Sequence, residues 1–365
     1  MFKLDNALSQ VFKNMKKTKE KERKETQKQL NAFKLRVLDM VEAFIKSQPA
    51  ADLILDLLFP LLNLMKHGER QKESRELSGR ATSIFKMMYK RTKVHGSTDV
   101  GTEKYLESVK STIEFSKKVI DKSLIHSASD ACFIVIRLIL NLELDGVGPS
   151  PAKTRSRKVE GGKKSKAEKE QEKLHAELIS ILEESLLLYL NKRESKLNPV
   201  FFTNLFLKAP AACWPLTKTL VNVLKDKESK MFFKSQALML LTALINKTTQ
   251  DSVETDEWEE FSTSVILSIE NNIRETEQKD LQVKLLTEMV NVLNKLVPLS
   301  DSVKLSKDII HKLEFNKKRL TPKCRRTLSS SLRRIFLLSS SQKRKTEAAN
   351  SSDVPKKKKN KSENQ

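Results

Sequence analysis

The chain has 365 residues, with 69 Lys and Arg against 46 Asp and Glu, a formal charge of +23 and 38% apolar residues. Only eight glycines occur, which argues against Rossmann, P-loop and β-rich folds, since those need glycine for tight turns and for close backbone approach to phosphate. The best apolar run, Phe133–Leu140, is short of bilayer length and holds Arg137, the amino end lacks an apolar signal core, and Cys132, Cys213 and Cys324 are far apart; we expect a soluble intracellular protein with free thiols.

In chain order, residues 1–29 are charged and compatible with either a helix or a linker. Leu30, Phe33, Val37, Val41 and Phe44 then follow the spacing of three and four that marks a helix face. The same periodicity predicts helices over 28–47, 51–67, 72–93, 101–121 and 127–143, making 30–144 a helical repeat region. Pro60 falls inside the second of these and predicts a kink. The stretch 145–167 holds four glycines, two prolines and hardly an apolar side chain, so a disordered basic insertion is expected there.

A second repeat region follows over 168–338. Helices are predicted at 168–192, 199–207, 210–226, 230–247, 256–275, 279–297, 301–315 and 322–338. Asn198-Pro199 and Thr321-Pro322 each place a capping side chain before a proline at the first helical position. Asp256 with Glu259 reads as a capping box. No run alternates as a strand would. The composition therefore predicts an all-α fold: an irregular α-solenoid of armadillo/HEAT-like helix pairs with a disordered insertion and a disordered basic carboxy-terminal tail over 339–365.

The charge is concentrated. Residues 13–36 carry ten bases and three acids, and 304–334 carry eleven and two, whereas 251–300 carry eleven acids and four bases. Basic strips attract polyanions by releasing counterions. Lysine predominates over arginine, 52 to 17, and a point charge on a flexible stem suits phosphate rather than base edges. Non-specific nucleic-acid contact is expected at Lys317, Lys318, Arg319, Lys323, Arg325, Arg326, Arg333 and Arg334.

In the tail, Lys343, Arg344 and Lys345 precede Lys356, Lys357, Lys358 and Lys359 by ten residues. Two basic clusters at that separation suit the paired acidic pockets of an import receptor, so we read a nuclear import signal. The run Arg325–Ser331 also fits phosphorylation by a basophilic kinase, which would lower the local charge.

The five histidines show no metal-ligand spacing, and the acids of TDEWEE are explained by a helix start. No catalytic, metal or cofactor site is expected. We read a non-enzymatic scaffold.

Three segments carry a resemblance: KLRVLDMVEAFIKSQPAADLILDLLFPLLNLM (34–65), KRESKLNPVFFTNLFLKAPAACWPLTKTLV (192–221) and EWEEFSTSVILSIENNIRE (257–275). They resemble the carboxy-terminal part of the Myb-binding protein 1A (DNA polymerase phi) family, whose chains are far longer. The resemblance implies an armadillo-type fold, a nuclear and nucleolar location, and roles in transcriptional co-regulation and ribosomal RNA synthesis. It also implies partners among DNA-binding transcription factors and nucleolar proteins, besides DNA or ribosomal RNA. The family's name invokes a DNA polymerase, the alternative reading, yet the matching segments hold no catalytic carboxylate motif.

Overall fold

The structure, a computed structural model, describes residues 2–47, 51–70, 74–91, 102–140, 166–191, 195–248, 255–275, 282–296, 299 and 305–334. Among these, every regular element is helical. Most of the expected insertion and the whole of the tail, with its import signal, lie outside the described residues.

The chain divides into two compact units. Unit 1 comprises 1–189 and 194–213, and unit 2 comprises 190–193 and 214–365.

Unit 1 begins with α1 (Phe2–Lys46), followed by α2 (Ala51–Arg70), α3 (Arg75–Arg91), α4 (Thr102–Lys117), α5 (Lys122–Leu140), most of α6 (Lys166–Asn191), α7 (Pro199–Lys208) and the single turn α8 (Pro210–Cys213). The ambiguous first 29 residues are thus part of one 45-residue helix. Helix α1 packs on α3, α3 on α5 and α5 on α7; α2 packs on both α3 and α5, and α4 on α5. Elements that touch the next helix and the next but one form the two-layer ladder of a helical repeat.

Helix α5 sits at the centre of unit 1. Its length of 19 residues and its hydropathy would allow it to cross a membrane, which the short run Phe133–Leu140 taken alone does not show. Thirteen of its residues are buried, however, as expected of a core helix. It also starts five residues earlier than the periodicity predicted, because the Asp121 carboxylate accepts from the Leu124 N–H at 3.0 Å and caps the helix there.

Helix α2 continues through Pro60. The carbonyl that loses its donor belongs to Asp56, which is exposed to solvent that can replace the bond. Near its end, Gly68 meets α3 so closely that a Cβ on it would fall 1.9 Å from the Cβ of Ser78. Ser78 Oγ donates to the Met65 carbonyl at 3.0 Å across the same crossing.

In α1 the stripe Leu30, Phe33, Val37 and Phe44 faces solvent, and the buried positions are Leu38 and Ile45. Periodicity named an apolar face correctly, but the neighbours cover the adjacent one.

Unit 2 contains a 3₁₀ turn (Trp214–Leu216), then α9 (Thr217–Lys225), α10 (Met231–Ile245), α11 (Thr255–Glu275), α12 (Val283–Leu296), α13 (Lys307–Asn316), a second 3₁₀ turn (Lys317–Arg319) and α14 (322–334). Successive packing of α9 on α11 and α11 on α13 makes one layer, and α10 against α12 makes the other.

The helix predicted over 210–226 is broken. Pro215 has no N–H to donate and falls between α8 and α9, so the backbone tightens to a 3₁₀ turn there. Two further predictions concern helix starts. The Asn198 side chain accepts from Val200 N–H at 2.9 Å with Pro199 next, as predicted. Asp256 lies one residue inside α11, in its first turn, rather than ahead of it as the capping-box reading required. There it favours the positive end of the helix dipole.

Candidate nucleic-acid interface

The basic strip of unit 2 is built on α13, the second 3₁₀ turn and α14. Leu320, Cys324, Leu328 and Ser331 are buried, at helical spacings that give α14 one inward face. Ser331 Oγ donates to Asn294 Oδ1 of α12 at 3.3 Å, which ties that face down. At the start of α14, Thr321 Oγ1 accepts from Cys324 N–H at 3.4 Å, so the predicted cap is present.

The turn leading into α14 is organised by Asn316, itself buried. Its Nδ2 donates to the Lys312 carbonyl at 3.0 Å, and its Oδ1 accepts from Arg319 at 3.0 Å. Lys312 is committed to structure as well: its Nζ donates to the carbonyls of Ile273 and Arg274 at 3.2 Å, capping α11.

With the inner face fixed, the cations are forced outward. Lys318, Arg319, Lys323, Arg325, Arg326, Arg333 and Arg334 are exposed, and Lys317 is half-buried. Lys323, Arg326, Arg333 and Arg334 fall within roughly 100° of the helix circumference. Among the described residues, none of Lys323, Arg325, Arg326, Arg333 and Arg334 has a carboxylate within ion-pair distance. On α14, Lys323, Arg325, Arg326, Arg333 and Arg334 are thus exposed cations with no described carboxylate partner, preceded in the chain by Lys317, Lys318 and Arg319 of the turn. A polyanion can displace their counterions without first breaking an internal salt bridge. The other candidate set, Lys343 to Lys345 and Lys356 to Lys359, lies outside the described residues.

Unit 2 also holds a cleft that sequence reasoning missed. Between α9 and α11 lies a space of about 570 Å³, floored by Trp214 and Phe261. Lys218 and Lys225 stand on the α9 wall, and Glu257 and Glu260 on the α11 wall. Trp214 stacks on Trp258 at 5.9 Å and meets Phe261 at 5.0 Å, and Trp258 Nε1 donates to the Leu299 carbonyl. The available signal was that these are the only two tryptophans in the chain.

Nothing among the described residues gathers three metal-capable side chains. All three cysteines are free and buried. Burial pushes the Cys132 thiol up to about 12 and raises those of Cys213 and Cys324 as well, so each is a poor nucleophile at neutral pH.

Comparison with known families decides the chain's place. The model described as Myb-binding protein 1A-like, TPR repeats, matches residues 48–350. The chain belongs to the Myb-binding protein 1A-like family. A second model, DNA polymerase phi, matches residues 1–45, which is α1 alone. Mouse Myb-binding protein 1A is 25% identical over 325 residues, 85% of this chain and 24% of the relative. A zebrafish Myb-binding protein 1A-like protein is 28% identical over 60% of this chain and 16% of its own length. The human protein is 23% identical over 80% and 23%. The chain thus spans about a quarter, or less, of the length of these relatives. No solved structure matches it. The family's description names TPR repeats where the sequence analysis expected armadillo/HEAT-like pairs; both are antiparallel helix pairs that stack, which is the arrangement of each unit here.

Proposed function

We propose that this chain is a non-catalytic scaffold of the nucleus and nucleolus that acts in transcriptional co-regulation and ribosomal RNA synthesis. Its helical repeats hold protein partners, and its basic strips hold DNA or RNA without sequence preference. The observation that carries the nucleic-acid part is the set of exposed cations on α14, Lys323, Arg325, Arg326, Arg333 and Arg334, none with a described carboxylate partner. The protein part is supported by the relatives' name, which says that they bind Myb, and by the aromatic cleft of unit 2 as a place for a side chain of such a factor. Nuclear entry is assigned to the paired clusters Lys343–Lys345 and Lys356–Lys359.

A salt titration tests the first part. Binding to unrelated RNA and duplex DNA oligomers should be equal within a few-fold, and log affinity should fall linearly with log salt, by about 0.7 to 0.9 per phosphate neutralised. Affinity that depends on sequence and hardly on salt refutes it. For the import assignment, changing Lys356, Lys357, Lys358 and Lys359 to alanine should shift a fluorescent fusion toward the cytoplasm; unchanged nuclear accumulation would overturn it.

A further inference from the structure

The apolar stripe of α1 has no covering element among the described residues. Leu30, Phe33, Val37, Met40 and Phe44 recur at steps of three, four, three and four, the a/d repeat of a helix made to pair with another helix. All five are exposed, Phe33 at 63% and Met40 at 73%. The same helix buries Leu38 and Ile45 on another side, against the repeat array. Helix α1 is therefore amphipathic twice, with one seam closed and one open.

The flanks of the open seam identify what would close it. Lys34 follows Phe33 at the e position and Arg36 precedes Val37 at g, with Lys28 just before the stripe begins. None of the three is ion-paired among the described residues. The acids of this stretch are turned away: Asp39 and Glu42 are both bound by Arg80 of α3. In a coiled coil the e and g residues meet their counterparts across the seam. Across the seam the e and g positions of a second α1 are Gln29, Lys34, Arg36, Val41 and Ala43, so a second copy, parallel or antiparallel, offers neither cation a carboxylate. Self-pairing therefore leaves both cations without a charge complement, which an acidic partner would supply.

We propose that the open face of α1 is a docking site for an amphipathic helix of a partner protein with apolar a and d positions and acidic e and g positions. The partner's leucines or similar side chains cover Phe33, Val37 and Met40, and its carboxylates meet Lys34 and Arg36. This surface belongs to unit 1 and is independent of the α14 surface, so failure of either leaves the other standing.

The test uses the full chain and a helical peptide of about four heptads, with Leu at a and d and Glu at e and g, labelled for fluorescence anisotropy. The Glu-flanked peptide should bind, and a Lys-flanked version of it should not. Phe33→Glu with Met40→Glu should weaken binding at least about tenfold, or 1.4 kcal/mol, while far-UV circular dichroism and the melting temperature stay unchanged, since both side chains are mostly in water. Lys34→Glu with Arg36→Glu should exchange the preference, so that the Lys-flanked peptide now binds. Equal binding of both peptides by the unaltered chain overturns the proposal, as does indifference to the Phe33 and Met40 changes. If ultracentrifugation finds a dimer that those two changes abolish, the occupant is a second copy and the proposal is also overturned.

Discussion

Helices α5 and α1 belong to the same unit and obey the same periodicity, yet one is buried on nearly every side and the other on one narrow strip. Helix α5 is surrounded by α2, α3, α4 and α7, so thirteen of its nineteen residues are buried, including the charged Arg137. That side chain is satisfied rather than stranded: its guanidinium donates to the Tyr89 carbonyl at 3.2 Å and lies 5.7 Å from the Phe133 ring centre. Helix α1 is more than twice as long but has a described neighbour chiefly in α3. The difference teaches that a helical stripe reports what a face wants, whereas position in the stack decides whether the want is met.

The sharpest test of this contrast is a pair of phenylalanines. Phe133 is fully buried and packs against Tyr89 at 5.8 Å. Phe133→Ala should cost about 3–5 kcal/mol, as large-to-small changes in a core do. Phe33→Ala, on the open face of α1, should change stability by less than about 0.5 kcal/mol. Urea unfolding followed by circular dichroism measures both. Similar costs at the two sites would mean that the α1 face is covered after all.

Gly68 gives the next largest effect, with an unusual sign. Alanine is better than glycine within a helix by about 1 kcal/mol, so the exposed interior of a helix should gain from Gly→Ala. At Gly68 the new methyl would strike Ser78, and the crossing of α2 and α3 would have to open. Gly68→Ala should therefore destabilise by about 1–3 kcal/mol. Gly79, on the neighbouring helix, has no atom within 4 Å of its added Cβ, and alanine there should stabilise slightly.

The buried thiol of Cys132 makes the core sensitive to alkali. Its pKa rises from 9.0 to about 12, chiefly because burial opposes the thiolate, with Thr112 pulling the other way. A raised folded-state value means that its contribution is complete below pH 9 and is lost as pH climbs toward 12, because only the unfolded chain releases the proton in that window. By about pH 10 the loss is on the order of 1 kcal/mol for this thiol. Cys132→Ser should remove this pH dependence, and alkylation of the native protein at pH 8 should be slow until denaturant is added.

How much of this was legible beforehand follows the same division. The all-α class, the proline-led starts at Asn198 and Thr321, and the cationic outer face of α14 were readable, since each depends on local spacing or on side chains within a turn of one another. The break at Pro215 was also local and was misjudged, because the apolar run on either side looked continuous. The exposure of Phe33, the burial of Arg137 and the meeting of Trp214 with Trp258 depend on elements more than forty residues away or on the absence of a neighbour. No window along the chain contains that information.

On α14 the expected change in stability per site is as small as at Phe33, and there it serves as the control for function. Arg325, Arg326, Arg333 and Arg334 are exposed and have no described carboxylate partner. Replacing all four with alanine removes charge without opening a cavity, and should move unfolding by no more than about 0.5 kcal/mol per site. Nucleic-acid affinity should fall uniformly across sequences, and the slope of log affinity against log salt should shrink by up to about 3–4, one counterion for each lost phosphate contact. The alternative site for a polyanion is the basic stretch of α1, where the cations are as exposed but are interrupted by Glu20, Glu22 and Glu25, and where Lys24 is already paired with Glu20 at 3.2 Å. A salt slope that survives the four changes and disappears when Lys13, Lys16, Lys17 and Lys19 are neutralised would transfer nucleic-acid binding from unit 2 to unit 1. The partner-helix seam on α1 would then share its helix with RNA or DNA.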